Sequence, residues 1–312
     1  MPVEKITFGC RVLTPLFLAG ADGTERYAVP EFRAPSLKGA MRFWWRAVQA
    51  EEDRDRLKNT EAGIFGGAGK GEGKSTFGIG MSYTGPLHSK KYQLLPHHSG
   101  DENCFCVANR GEQCKKGMIT RTAIFPGQEF SVEFSYNRPH QLFPPERLRA
   151  LFKLTSILGG LGKRSRRGFG SFAINAIDGL KPEREVSLEY IHELLELLAP
   201  GKYHMGQNCI VLNGACGGHY PFIREIAIGR QYGSADELLK AIGMASHDHD
   251  VDCLGFVGTG DLKGRRLASP VYVSVISGGG GFRPVITTLN TESNITLRGD
   301  MAVQQAFKVA IL

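Results

Sequence analysis

The sequence predicts an α+β protein made of two units, each with the element order β-α-β-β-α-β, the second being shorter or incomplete. Three observations support this fold class. The chain has 312 residues, which exceeds the usual size of one domain. Strand-like and helix-like patterns alternate through its first half. The composition then changes after the turn-forming residues 178–182. We therefore divide the chain into residues 1–180 and residues 181–312.

The first unit begins with a strand over residues 5–13, where apolar and polar residues alternate. A helix is predicted to open at Pro35 and Ser36, with Ser36 as its N-cap. Strands are predicted for residues 76–83 and 119–136, a helix starting at Pro145 for residues 145–158, and a last strand for residues 170–177. This is the ferredoxin-like order.

The second unit has a similar but less complete pattern. Ser234 and Glu237 have the spacing of a capping box and predict the start of a helix. Helices are predicted for residues 188–198, 234–245 and 299–309, and strands for residues 209–213, 268–276 and 282–289. A shorter ferredoxin-like unit fits this order.

Residues 159–170, which we call the glycine–arginine loop, combine five glycines with three arginines and one lysine. Glycine removes the Cβ barrier to positive φ and lets backbone N–H groups approach a polyanion. Arginine and lysine supply charge-assisted donors for phosphate. The alternative reading is a solvated basic turn, which is what a run of charges usually forms.

The helix after Pro35 is predicted to carry an apolar face and a cationic edge. Leu37, Met41, Trp44 and Val48 recur at helical spacing. At about 100° per residue, Lys38, Arg42 and Arg46 fall within an arc of roughly 80° beside that face. Trp45 lies between the two surfaces, where an indole can cover the rim of the core or stack on a base.

The formal charge of +7 indicates a polyanionic partner. No stretch approaches about 18 apolar residues, and the N-terminal residues lack a signal-peptide profile, so we expect a soluble, cytoplasmic protein without membrane contact. Seven cysteines without framework spacing are typical of a reducing compartment.

Residues 67–75 resemble a phosphate-binding P-loop, but five residues separate Gly67 from Gly73 where the motif requires four. The segment also follows a helix instead of a strand. Nucleotide hydrolysis is therefore disfavoured. A glycine–lysine loop near RNA, in which Lys70 and Lys74 touch phosphate, is the better interpretation.

Two histidine-rich segments could bind metal. Cys104, Cys106 and Cys114, with His97 or His98, offer enough ligands for zinc, although Cys-x-Cys is tighter than the usual spacing. Residues 247–253 suggest a phosphohydrolase site, but no further ligands are evident and a polar loop is the better interpretation. We predict no metal and no cofactor, and leave open whether the cysteine segment binds zinc.

Several motifs resemble the RAMP superfamily of CRISPR proteins, and within it subunit one of the Cmr effector complex of type III-B systems. They are residues 14–20 (TPLFLAG), 33–46 (RAPSLKGAMRFWWR), 64–67 (IFGG), the glycine–arginine loop, and 266–270 (RLASP). The resemblance implies paired ferredoxin-like domains and a non-catalytic subunit that contacts guide RNA near its 3′ part and neighbouring RAMP subunits, in antiviral defence. Residues 97–116 are an insertion with no place in the family pattern.

The predicted RNA contacts lie in the helix edge and the glycine–arginine loop, which we expect to form one groove for a nucleic-acid backbone. Hydroxyls of Ser36 and Ser165 and the helix N-terminus would help to bind phosphate, and Trp45 or Phe169 could stack on a base. The cationic contacts would come from Lys38, Arg42, Arg46, Lys163, Arg164, Arg166 and Arg167, with Lys70 and Lys74 beside them.

The alternative function is a metal-independent RAMP endoribonuclease that matures guide RNA. That reaction needs a general base, such as histidine, for the 2′-hydroxyl. It is disfavoured because residues 1–85 contain no histidine, and because the glycine-rich loop is central instead of close to the C-terminus.

Overall fold

The computed structural model describes residues 4–20, 29–69, 72–107, 111–136, 143–182, 184–250, 252–257, 266–290 and 301–312. It is a mixed helix-and-sheet structure whose paired strands, within these ranges, run antiparallel. None of the described helices combines the length and the apolar content that a bilayer crossing requires.

The first half contains β1 (Glu4–Val12), α1 (Ala34–Gln49), α2 (Arg54–Phe65), β2 (Phe77–Ser82), β3 (Ser89–Gln93), β4 (Thr120–Ile124), β5 (Glu129–Tyr136), α3 (Pro145–Leu158) and β6 (Phe172–Ile177). Four of its strands form a sheet in the order β2-β5-β1-β6. Strands β3 and β4 form a separate hairpin.

The second half contains α4 (Leu188–Leu198), β7 (Tyr203–Met205), β8 (Cys209–Leu212), β9 (Ile223–Ile228), α5 (Ala235–Asp248), β10 (Phe256–Val257), β11 (Arg266–Leu267), β12 (Val271–Gly278), β13 (Gly281–Leu289) and α6 (Met301–Val309). Its main sheet has the order β12-β13-β9-β8-β7. The Ser234 side chain accepts a hydrogen bond from the Glu237 amide at 3.1 Å, as the capping pattern predicts.

Two local predictions are wrong. Helix α1 begins at Ala34 with Arg33 as its N-cap, and the Ser36 amide donates to the Arg33 carbonyl at 3.0 Å, so Ser36 is not the cap. Pro35 fits inside the first turn because its missing N–H is not needed there. The strand predicted for residues 119–136 is two strands, β4 and β5, because the chain turns at Gly127 with φ of 97°.

One large apolar core extends across the predicted boundary at residue 180. Its buried side chains come from the first sheet and its helices, such as Phe8 and Leu151, and also from α4 and the second sheet, such as Leu195 and Val285. Removal of this much apolar surface from water is the main stabilising contribution to the fold. The two halves therefore share a core, and the division at residues 180 and 181 remains a prediction.

The pairing of the first sheet fixes which loops lie at which end. Val12 pairs with Phe172, so the glycine–arginine loop, which precedes β6, lies at the end where β1 finishes. Glu4 pairs with Tyr136, and Tyr136 pairs with Phe77, so the segment before β2 lies at the opposite end. A nine-residue strand separates the two ends by about 27 Å.

Candidate nucleic-acid interface

The glycine–arginine loop lies against β12 and joins the two halves. The Gly168 amide donates to the Val273 carbonyl at 2.8 Å, and the Val273 amide donates to the Arg166 carbonyl at 3.2 Å. Gly168 has φ of 83°, and a Cβ there would lie 2.9 Å from side-chain atoms of Leu239 and Ile242. Glycine is needed here both for the backbone conformation and for the close approach to α5.

Two arginines of this loop donate hydrogen bonds to carbonyl groups of the second half. Arg167 contacts the Val271 carbonyl at 2.9 Å through Nη1 and the Leu254 carbonyl at 3.1 Å through Nη2. Arg166 donates through Nη1 to the Ser269 carbonyl. Because a guanidinium holds its five N–H groups in a fixed plane, each side chain sets the position of the segment that it contacts.

Aromatic rings cover the same two guanidinium groups. Arg166 lies 5.3 Å from the ring centre of Phe43 on α1 and 5.5 Å from that of Tyr272 on β12, and Arg167 lies 5.1 Å from that of Phe307 on α6. Burial lowers the pKa of Arg167 to about 10 and also lowers the pKa of Arg166. Arg167 thus stays charged at neutral pH, and the local contacts of both side chains hold the two halves together.

The preceding residues of the loop have a different environment. Lys163 is exposed. Arg164 has φ of 59°, its guanidinium lies 5.9 Å from the ring centre of Phe169, and burial lowers its pKa. Its Nε is buried and has no hydrogen-bond partner among the described residues. A buried donor without an acceptor is unfavourable, and because this atom is closed to solvent it is not a surface contact for a ligand in this conformation.

The cationic edge of α1 is partly neutralised by one acidic side chain. Arg42 Nε and Arg46 Nη1 both contact Glu61 Oε1 at 2.6 Å. Glu61 lies on α2 with 7% of its side chain exposed, whereas 37% of the Arg42 side chain and 38% of the Arg46 side chain are exposed. One carboxylate therefore orients two guanidinium groups and leaves the trio with a net charge of +1. Each arginine uses one contact for Glu61 and keeps further N–H groups that can donate to another acceptor.

The smaller predicted contacts lie near these groups. Lys38 is half-buried, and its pKa is lowered by burial and then by the charge of Arg42. Ser36 is half-buried in the first turn of α1. The Ser165 side chain hydrogen-bonds with the buried phenol of Tyr272, whose pKa is raised by burial. Ser165 therefore contributes to the contact between the loop and β12.

The two aromatic side chains predicted to stack on bases are in the core. Trp45 is 4% exposed and packs against Phe65, with ring centres 6.2 Å apart. Phe169 is 2% exposed and packs against Phe17 at 5.3 Å. Neither ring presents a face to solvent in this conformation. We therefore remove base stacking by Trp45 and Phe169 from the interpretation.

The structure places the glycine–arginine loop against α1. Arg166 contacts Phe43, which points about 100° around the helix from Arg42, whereas Arg42 and Arg46 face Glu61 on α2. One groove that joins the helix edge and the loop therefore remains a prediction. The glycine–lysine segment is not part of this arrangement. Lys74 is exposed but comes shortly before β2, at the opposite end of the sheet, and Lys70 lies outside the described residues. The surface formed by α1 and the loop is the candidate interface.

Two features of the site are absent from the sequence analysis. The first is Glu61, although its spacing from Leu57, Ile64 and Phe65 on the buried face of α2 could have revealed it. The second is the approach of His97 to the loop, since the sequence analysis considered this residue only as a metal ligand. Burial, together with the charges of His98, His247 and Arg164, lowers the pKa of His97 to about 4.

Comparison with known sequences identifies the family of this chain. A sequence model of the RAMP superfamily matches residues 10–173, a range that includes α1 and the glycine–arginine loop. The chain belongs to the RAMP superfamily. It resembles subunit one of the type III-B Cmr complex, as two relatives from Pyrococcus furiosus indicate.

The first of these RAMP relatives, CRISPR system Cmr subunit Cmr1-1, is 34% identical over 148 residues, which cover 46% of this chain and 41% of the relative. The second, Cmr subunit Cmr1-2, is 28% identical over 187 residues, which cover 54% of this chain and 95% of the relative. The chain thus spans less than half the length of the first relative, and the functions of these proteins enter below only as proposals.

Solved structures show the same fold. The crystal structure of Cmr1 from Pyrococcus furiosus in its apo form has a TM-score of 0.60 at 20% identity and covers 99% of this chain and 96% of that one. A chain of the type III-B Cmr-beta structure bound to cognate target RNA has a TM-score of 0.61 at 10% identity, with full coverage of both. At these identities the likeness supports the fold alone.

The shared carboxylate generates a stability prediction. Glu61→Gln keeps the side-chain shape but leaves two guanidinium groups beside a neutral amide, so we expect the free energy of unfolding to fall by about 1–3 kcal/mol. The control is Glu133→Gln, whose partner Lys5 lies at 3.0 Å with 60% and 45% of the Lys5 and Glu133 side chains exposed. Glu133→Gln should lower the free energy of unfolding by less than about 0.5 kcal/mol, because exposed ion pairs contribute little to stability.

Urea unfolding at pH 7, followed by tryptophan fluorescence, measures this difference in the free energy of unfolding. Both tryptophans of the chain, Trp44 and Trp45, lie on α1, so their emission reports on the helix that carries the arginines. Equal effects of the two substitutions would contradict the assignment of Glu61 as the residue that fixes this edge.

Proposed function

We propose that this chain is a non-catalytic RNA-binding subunit of a type III-B CRISPR effector complex, which contacts the backbone of guide RNA and neighbouring RAMP subunits. The membership of the RAMP superfamily and the resemblance to Cmr1 proteins support the complex. The observation that carries RNA contact is the cationic edge of α1, where Arg42 and Arg46 share one carboxylate and are 37% and 38% exposed. We extend the proposal to antiviral defence in the cytoplasm.

A pair of ferredoxin-like units belongs to the same proposal. The sheet order β2-β5-β1-β6, with helices α1 and α3 between its strands, supports such a unit in the first half. In the second half, β9, α5, β12, β13 and α6 follow the same order, and β8 pairs with β9 at the place where a final strand would lie. The second unit is thus incomplete.

The chemistry of the interface suits a phosphate backbone more than particular bases. Its outward groups are cations with several donors each, and the rings of Trp45 and Phe169 are buried. Contacts to phosphate position a nucleic acid without reading its sequence. We therefore expect affinity for single-stranded RNA to depend strongly on salt and weakly on sequence.

The salt dependence of binding tests this proposal. Each phosphate contact with a single strand contributes about −0.7 to the slope of log K against log salt. The double substitution Lys38→Gln with Lys163→Gln should therefore reduce the steepness of the slope by about 1.4. Fluorescence anisotropy with labelled guide RNA over a range of NaCl concentrations measures this slope.

The matched control is Lys5→Gln with Lys181→Gln, which removes the same charge from the exposed lysines at the other end of the sheet. Lys5 is near the start of β1, and Lys181 follows the end of β6, which pairs with β1 in the antiparallel direction. This control should leave the slope unchanged. If both pairs flatten the slope equally, binding reflects net charge only and the interface is wrong.

The endoribonuclease alternative has one observation in its favour, the approach of His97 to the loop. However, His97 packs against α5, where a Cβ on Gly243 would collide with its ring. We expect no cleavage when the purified chain is incubated with labelled guide-repeat RNA in EDTA and the products are separated on a denaturing gel. Scission at one position that His97→Ala abolishes would overturn the non-catalytic assignment.

A further inference from the structure

The insertion between β3 and β4 brings four metal-binding side chains to one point. His98 Nδ1 lies 3.5 Å from the sulfur of Cys104, 3.2 Å from that of Cys106 and 3.6 Å from that of Cys114. The sulfur of Cys106 lies 3.4 Å from that of Cys104 and 3.1 Å from that of Cys114. His98, Cys104 and Cys114 are buried, and Cys106 is nearer the surface.

These separations match a tetrahedral zinc ion. Bonds of about 2.0–2.1 Å to nitrogen and about 2.3 Å to sulfur place nitrogen and sulfur about 3.5–3.6 Å apart and two sulfurs about 3.8 Å apart in a tetrahedron. The observed nitrogen–sulfur separations of 3.2, 3.5 and 3.6 Å lie close to this value, and the sulfur–sulfur separations of 3.4 and 3.1 Å are shorter, so an ion would move the sulfurs slightly apart. A disulfide would bring two sulfurs to about 2.05 Å and leave the third thiol out, which is not the arrangement seen here.

We propose that His98, Cys104, Cys106 and Cys114 form a structural zinc site. Three thiolates and one imidazole are a known structural donor set for zinc, and four protein ligands leave no open position for catalysis. Binding releases the three thiol protons to solvent without any redox step. The structure also selects between the two candidate histidines, because His97 packs against Gly243 on α5 instead of joining the sulfurs.

The surrounding backbone is arranged to hold such a site. The Asp101 carbonyl accepts from the amides of Cys104 at 3.4 Å and Cys114 at 3.3 Å. The Gly117 amide donates to the Cys114 sulfur at 3.4 Å. Hydrogen bonds of this kind orient metal ligands and stabilise negative charge on a thiolate sulfur. The chain also crosses itself here, because a Cβ on Gly117 would collide with the backbone of Gly100.

The insertion needs a stabilising element of this kind. The described residues of the whole connection between β3 and β4, 94–107 and 111–119, contain no helix or strand. Connections of this length without secondary structure are uncommon in an ordered domain. A segment too small to form its own apolar core is often held by a metal, whose binding energy then contributes to its folding.

The proposed site also has a structural neighbour outside the insertion. Phe105 lies between two ligands in the sequence, stacks on His98 at 5.1 Å, and contacts His247 at the end of α5 at 4.8 Å. Tyr92 in β3 and Leu94 directly after it pack against a buried cluster that includes Leu239 of α5. Zinc would therefore fix the insertion against α5, next to the glycine–arginine loop.

Metal analysis of the full chain tests the site directly. The untagged protein, purified without chelators or added metal, should contain about one zinc per chain by inductively coupled plasma mass spectrometry. Cys106→Ser removes the ligand nearest the surface and should lower zinc to background. The control Cys209→Ser changes a half-buried cysteine on β8 and should keep the zinc of the unmodified chain.

A second measurement covers the case in which Cys106→Ser does not fold. Chelation of the unmodified chain followed by addition of Co²⁺ should give the strong visible absorption of tetrahedral cobalt with thiolate ligands. Hydrogen exchange should also increase on chelation in residues 94–119, with α3 unchanged. The proposal is overturned if the unmodified chain lacks stoichiometric zinc, if cobalt gives no thiolate absorption, or if Cys106→Ser keeps as much zinc as Cys209→Ser.

Discussion

The arrangement of this molecule depends on the contact between two buried guanidinium groups and carbonyl groups more than 80 residues away. Arg167 contacts the Val271 and Leu254 carbonyls, and Arg166 contacts the Ser269 carbonyl. A charged donor makes a stronger hydrogen bond to a carbonyl than a neutral donor does. Because these arginines come from the loop between α3 and β6, they fix the first sheet relative to β12.

This contact divides the charges of the candidate interface into two groups. Arg166 and Arg167 are held by carbonyls and aromatic rings, whereas Lys163 is exposed and Arg164 has a donor without an acceptor. A run of four cations in one loop would be unfavourable if all were left without partners. Arg166 and Arg167 order the backbone from which Lys163 and Arg164 project.

The sequence alone predicted the helices whose ends depend on neighbouring residues. The helix over Leu188–Leu198 was predicted with its bounds, and Ser234 caps α5 as expected. Ser36 failed as a cap because Pro35 fits equally well inside a first turn. The role of Arg167 could not be predicted, since its partners lie 87 and 104 residues away and no periodicity links them. Trp45 was ambiguous from its helical position, and only the packing of α2 shows that it is buried.

The division of the loop arginines is the central claim, and Arg167→Gln compared with Lys163→Gln tests it most directly. Thermal unfolding and the salt dependence of guide-RNA binding should be measured on both variants. We expect Arg167→Gln to lower the melting temperature by several degrees with little change in the salt slope, and Lys163→Gln to flatten the slope by about 0.7 without a change in melting temperature. If Arg167→Gln leaves the melting temperature unchanged and flattens the slope as much as Lys163→Gln does, Arg167 is an RNA contact and the account is contradicted.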